Sequence, residues 1–168
     1  SARFAVAAAE SLAAGALRRA AITGETAAVA RVGDLPAVVP TLRGKVEFEV
    51  SEEGREEEVL VHLMRRAIAE TFRARLGGVD LSGLITRFDE GTSVEVGDLV
   101  TSDEVLRRIG PLDGLGRIVA ALEGEDGAAE SPGVVASCLE TALEGLYLTR
   151  RISKDEVPGG GRAVYGGA

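Results

Sequence analysis

The fold is decided by the longest helical pattern of the chain, which residues 54–78 carry as GREEEVLVHLMRRAIAETFRARLGG. Apolar and small residues recur on one face of this segment at helical spacing: Leu60, Leu63, Met64, Ala67, Ile68 and Thr71. Glutamates cluster in its first turns and arginines toward its end, an order that complements the helix dipole. Gly77 and Gly78 end the pattern, so the sequence predicts a helix over about 54–76.

Weaker signals of the same kind flank this helix on both sides. An alanine-rich segment predicts a helix over 2–22, and Asp34 followed by Pro36 predicts a second helix running to about 41–44. Further helix starts are predicted at Asp80, at the Thr101–Glu104 capping box, at Gly110-Pro111 and at Ser131-Pro132. Alternating residues at 45–50 and 94–96 are strand-like. The predicted fold class is mainly α, with about seven helices and at most two or three very short strands.

The distribution of charge predicts how the chain is divided. Residues 1–50 carry six basic and five acidic residues, whereas the rest carries 13 basic and 22 acidic residues. We therefore predict a small helical unit over 1–50 and a helical domain over 51–153. Residues 154–168, which contain Gly159, Gly160 and Gly161, are predicted to be a flexible tail.

Composition excludes several classes of protein. One cysteine, Cys138, permits no internal disulfide, and with one histidine, His62, it cannot form a Cys/His zinc site. No apolar run is long enough for a membrane-spanning helix. The net charge of −8 argues against a nucleic-acid binder, although Arg65, Arg66, Arg73 and Arg75 leave a nucleic-acid-binding helical domain as a third interpretation.

Few side chains stand out as candidates for chemistry. The glutamates at 52–58 are typical of a helix start, and the paired arginines of the long helix are expected to pair with upstream glutamates. His62 and Cys138 are expected to be structural. Arg3 is different because an arginine in the first turn opposes the helix dipole, and an anion could offset it. No catalytic residue and no metal ligand is predicted.

Residues 1–49 resemble the lid subdomain of AAA+ ATPases of the magnesium-chelatase subunit I and MoxR-like group. The matching stretches are SARFAVAAAESLAAGALRRAAITG and VARVGDLPAVVPTLRGKVEFE. The first resembles the sensor-2 helix, in which Ser-x-Arg opens the lid helix. Residues 54–157 resemble the helical C-terminal extension of bacterial relatives of the chelatase ATPase.

This resemblance implies a fragment of an ATPase that is itself inactive. The parent protein would bind ATP and Mg²⁺ and hydrolyse ATP in the cytoplasm, in a homo-oligomeric ring that can act with a von Willebrand A-type domain protein. Arg3 matches the sensor-2 arginine and would contact nucleotide only together with the core. The 168 residues contain no phosphate loop. The expected function is therefore to relay nucleotide state and to offer a partner-binding surface, without a cofactor of its own.

The main alternative is a stand-alone acidic helical interaction module with no nucleotide function. An open reading frame that begins near residue 1 would favour this alternative. A reading frame that continues upstream into a phosphate-loop core would favour the ATPase interpretation.

Overall fold

Seven α-helices and three short antiparallel strands make up the described part of the chain, in agreement with the predicted mainly-α class. The computed structural model describes residues 2–124, 131–157 and 161–168. The helices are α1 (Ala2–Thr23), α2 (Val39–Arg43), α3 (Glu56–Leu76), α4 (Ser82–Asp89), α5 (Ser102–Ile109), α6 (Leu115–Glu123) and α7 (Pro132–Leu148). The strands are β1 (Val94–Gly97), β2 (Ser153–Glu156) and β3 (Arg162–Gly166).

Local sequence explains where α5 and α7 begin. The Thr101 hydroxyl accepts a hydrogen bond from the Glu104 amide, and the Glu104 carboxylate accepts one from the Thr101 amide, which confirms the predicted capping box of α5. Pro132 occupies the first turn of α7, where its missing N–H costs nothing. The segment that follows Arg31 begins as a 3-10 helix, Val32–Val38, and only then continues as α2.

Helix α7 lies at the centre of the larger hydrophobic core. It packs against α3, α5 and α6, and its inward residues Ala136, Leu139, Ala142 and Leu143 are fully buried. A second, smaller core contains Val38, Val39, Leu42 and Leu60, with parts of α1 packed against it. Because α3 contributes Leu60 to one core and Phe72 to the other, this helix joins the two. The division at residue 50 stays a prediction.

The prediction of a flexible tail over 154–168 is wrong for its described residues. Strand β3 lies in the middle of the sheet, in the order β1-β3-β2, and pairs antiparallel with both neighbours. Tyr165 of β3 is fully buried. The three glycines suggested flexibility, but two of them, 159 and 160, lie outside the described residues. Tertiary contacts with β1 override the weak strand propensity of this segment.

The prediction of a strand at 45–50 is also wrong. Residues 44–49 form a turn and an irregular segment, and Val50–Glu52 is a short 3-10 turn. Val46 and Phe48 pack against the smaller core and are partly buried there. Burial of every second residue accounts for the alternating pattern, although this segment pairs with no strand among the described residues. The 94–96 pattern, in contrast, does form β1.

Candidate functional site

Arg3, the one candidate binding residue from the sequence, lies in the first turn of α1 and is exposed. Within the described residues, its guanidinium has no ion pair or hydrogen bond to another side chain. The structure therefore brings no other candidate residue to Arg3, and its assignment as a nucleotide contact stays a prediction.

A buried cluster of charges near the other end of α1 was not foreseen. Arg19 is 1% exposed, and its Nε and Nη2 bind Asp34 Oδ1 and Oδ2 at 3.0 and 3.2 Å. Its Nη1 forms an ion pair with the carboxylate of Glu25. Asp34 also accepts a hydrogen bond at 2.9 Å from the amide of Arg31, which fixes the start of the 3-10 helix. The sequence predicts Asp34 as the N-cap of this helix, but Arg31 occupies that position and Asp34 is the third residue of the 3-10 helix, from which its carboxylate binds the Arg31 amide and anchors α1.

The charge cluster continues from α1 into the larger core. Glu25 accepts hydrogen bonds from the amide of Ser102, at 2.8 Å, and from its hydroxyl, at the first residue of α5. Arg31 donates to the carbonyl of Val100, and its Nη1 lies 3.4 Å from Oε1 of the fully buried Glu140 on α7. Hydrogen bonds from Ser102 to Glu25 therefore connect the segment 19–34 with α5, and the Arg31–Glu140 ion pair connects it with α7.

The partly buried Glu25 and the fully buried Glu140 differ in whether their surroundings favour the charged carboxylate. Burial alone would raise the pKa of Glu25, but the hydrogen bonds from Ser102 and the charges of Arg19 and Arg31 outweigh it, so the pKa is lowered. Burial raises the pKa of Glu140, and the nearby charge of Arg31 offsets this only in part. Glu25 is therefore held ionised by its partners, whereas ionising Glu140 is costly.

The lowered pKa of Glu25 predicts a pH dependence of stability that one substitution should remove. A carboxyl with a depressed folded-state pKa stabilises the fold above its unfolded pKa, here 4.5, and this contribution is lost as pH falls through the folded pKa. We expect Glu25→Gln to lower stability at pH 7 and to flatten the loss of stability below pH 4.5. Urea unfolding between pH 3 and 7 measures this, with Glu57→Gln as an exposed control for the change in net charge. Parallel curves for wild type and Glu25→Gln would contradict the assignment.

A cleft of about 440 Å³ opens on the other side of the 3-10 helix. Its walls are this 3-10 helix, the middle of α3 and one face of the sheet, and most of the lining is apolar: Leu35, Pro36, Val39, Val61, Met64 and Ile68 line one side. The sheet contributes Val96, Ala163 and Tyr165, which alternate along their strands and so share this face.

Three polar side chains lie together at the sheet side of the cleft. Lys154 Nζ lies 2.8 Å from Oε2 of Glu144, which is 3% exposed, and the hydroxyl of Tyr165 donates to the same oxygen. The Lys154 ammonium also lies 5.5 and 5.4 Å from the ring centroids of Tyr147 and Tyr165. Burial and the charge of Glu144 raise the pKa of Tyr165, so its hydroxyl stays protonated. This neutralised trio suits holding a ligand or the sheet itself in place better than acid–base catalysis.

This trio was not predicted from the sequence, because Lys154 and Tyr165 fall in the segment predicted to be a flexible tail. The β-branched and aromatic residues of the short run Ala163-Val164-Tyr165 were the signal that could have indicated a strand. Nothing in the sequence, however, could indicate that Glu144 lies beside them.

The remaining candidates from the sequence lie apart from the cleft or have local partners. His62 is exposed on α3. Cys138 is buried, and burial raises its pKa to about 11, with a smaller contribution from Glu123, so the thiol is unreactive. Arg66 pairs with Glu70, downstream rather than upstream, and Arg65 pairs with Glu156 of β2. Among the described residues, no three metal-ligating side chains come together.

None of the described helices is both long and apolar enough to cross a membrane. No protein-family model, no curated protein and no solved structure matches the sequence or the fold.

Proposed function

We propose that these 168 residues are the non-catalytic C-terminal region of a MoxR/magnesium-chelatase-like AAA+ ATPase. In this proposal the region relays nucleotide state and offers a surface to a partner, while ATP and Mg²⁺ are held by the core of the parent protein. The parent would act in the cytoplasm as a homo-oligomeric ring, and a von Willebrand A-type domain protein would be its partner.

The observation that best supports a relay is the buried charge cluster at the end of α1. Arg3 and Arg19 lie on the same helix, about 24 Å apart at 1.5 Å per residue. Arg3 is exposed at one end, whereas Arg19 is fixed by Asp34 and Glu25 at the other. A tilt of α1 at the Arg3 end would therefore be transmitted through Glu25 to the start of α5.

One arginine supplies only one part of a nucleotide site, because phosphoryl transfer needs several charged groups and a metal ion around the phosphates. Arg3 is exposed. The proposal therefore gives Arg3 a single role, which is to place a positive charge beside the phosphates that the parent's core holds.

Nucleotide turnover tests this proposal in two steps. The purified 168-residue chain is expected to hydrolyse no ATP above background. In the complete parent protein, Arg3→Ala is expected to lower ATP turnover about 100-fold, the effect typical of removing one donor to developing charge. The control is Arg66→Ala, which removes an exposed arginine paired only with Glu70. Turnover by the chain alone, or an unchanged rate in the Arg3→Ala parent, would contradict the proposal.

The cleft favours the alternative, an acidic helical interaction module without a nucleotide link. It combines apolar walls with a few fixed polar groups, as binding sites for small molecules and peptides do. The two functions make different predictions for Arg3, because a pure interaction module would not respond to its replacement.

A further inference from the structure

The outer edge of β2 has no strand partner within the described residues. The sheet order β1-β3-β2 leaves β2 at one side, paired only with β3. The Val157 amide donates to the Arg162 carbonyl at 3.0 Å, and the pairing with β3 continues from there in register. Because hydrogen-bonded and non-hydrogen-bonded pairs alternate in an antiparallel ladder, Asp155 and Ser153 also bond to β3. The backbone N–H and C=O groups of Lys154 and Glu156 therefore point to the open edge.

These same two residues have their side chains in the cleft. Lys154 and Glu156 both line it, and Arg65 of α3 lies 3.1 Å from Glu156 Oε1, so α3 runs beside the open edge. Residues directly opposite each other on paired strands project to the same face of a sheet. A strand added at this edge would thus send the side chains opposite Lys154 and Glu156 toward the apolar residues Val61, Met64 and Ile68 of α3.

Asp155, the residue between Lys154 and Glu156, would determine which charge an added strand could carry at the position opposite it. Asp155 is exposed on the opposite face of β2 and has no ion pair among the described residues. A basic residue opposite Asp155 would be stabilised across the strand pair, whereas an acidic residue would be repelled. Two β2 strands centred on each other would place Asp155 opposite Asp155 and Lys154 opposite Glu156, but Lys154 is already paired with Glu144. Because each copy also carries a net charge of −8, a second copy fits this edge less well than a basic peptide does.

We propose that the open edge of β2, with the adjoining cleft, binds an extended peptide of the pattern apolar–basic–apolar by adding it as a strand to the sheet. The backbone groups of Lys154 and Glu156 would supply hydrogen bonds, the cleft would accept the two apolar side chains, and Asp155 would select the basic one. This inference specifies the partner-binding surface that the proposed function and its alternative share, and it rests on that part of the proposal.

A panel of short peptides tests the proposal on the 168-residue chain alone. The probes are 16 fluorescein-labelled pentapeptides, Thr-Φ-Lys-Φ-Thr, in which each Φ is Val, Ile, Leu or Phe, together with the 16 that carry Glu in place of Lys. We expect saturable binding of at least one Lys peptide by fluorescence anisotropy, and weaker binding of its Glu counterpart by about tenfold. Failure of all 16 Lys peptides to saturate would overturn the proposal.

Two variants separate strand addition from contact by side chains. Glu156→Pro removes the amide that points to the open edge without removing a hydrogen bond to β3, a position where proline is tolerated in edge strands. Its matched control, Glu156→Ala, removes the same side chain but keeps the amide. We expect binding to the proline variant to be about tenfold weaker than to the alanine variant, with equal thermal stability. Equal binding by the two would contradict strand addition.

A charge exchange keeps the proposal testable if the proline variant does not fold. Asp155→Lys is expected to reverse the preference, so that the Glu peptide binds about tenfold more tightly than the Lys peptide. An unchanged preference for the Lys peptide would overturn the role of Asp155. If the chain self-associated in sedimentation and Glu156→Pro abolished this, the open edge would be assigned to a second copy instead. The assay contains no nucleotide, so its failure leaves the Arg3 test intact, and failure of the Arg3 test leaves the peptide site intact.

Discussion

Replacing Arg19 with methionine is expected to lower the free energy of unfolding by about 3–5 kcal/mol, the usual cost of removing one partner from a buried ionic contact. Methionine is similar in length and fills much of the same volume. It leaves Asp34, 3% exposed, and Glu25 without their guanidinium partner. Chemical unfolding followed by circular dichroism measures the change.

The neighbouring residue supplies the control for this experiment. The Arg18 side chain is 56% exposed and pairs with Asp98 at 2.9 Å, so Arg18→Met should cost no more than about 1 kcal/mol. Both variants remove one positive charge from the same turn of α1. Equal stability of the two variants would mean that the charge cluster does not anchor this helix.

Truncation of Tyr165 to alanine is the second substitution with a large expected effect, about 3–5 kcal/mol. The ring is fully buried in β3, between Val94 of β1 and Lys154 of β2 in the register of the sheet. Its loss leaves a cavity and also removes the hydroxyl that donates to Glu144. Thermal unfolding is expected to show a large drop in Tm.

Val164→Ala is the matched control, because Val164 is adjacent in β3 but projects to the opposite, half-exposed face. It should cost about 1 kcal/mol or less. If Tyr165→Ala were as stable as Val164→Ala, the C-terminal hairpin would not be part of the folded core, and the original interpretation of this segment as a flexible tail would stand.

The helices could be predicted from the sequence because their signals are local. The Thr101–Glu104 capping box and Ser131-Pro132 specify helix starts within a few residues, and the apolar face of α3 recurs along a single segment. Strand β2 has no such local signal. Ser153-Lys154-Asp155-Glu156 contains no β-branched or aromatic residue, and it forms a strand only because β3 lies beside it.

The two candidate sites could not be predicted for a related reason. Arg19 binds Asp34, which is 15 residues away in the sequence. Through Glu25 it is also connected to Ser102, which is 83 residues away. No spacing rule connects residues so far apart in the sequence. Glu144 and Tyr165 meet only because α7 and β3 pack together. The local pattern of Asp34 and Pro36 predicted a helix close to the observed one, but the contact of Asp34 with α1 depends on the tertiary fold.

The central position of β3 in the sheet has a consequence during synthesis on the ribosome. Val94 and Val96 of β1 leave the ribosome roughly 70 residues before their partners in β3, an interval of several seconds at roughly 5–20 residues per second. During that interval the nascent polypeptide exposes an unpaired apolar strand, which is the kind of segment that chaperones bind and that aggregates when translation stalls. A released chain truncated just before Arg162 should therefore be far more sensitive to proteolysis than one that includes β3.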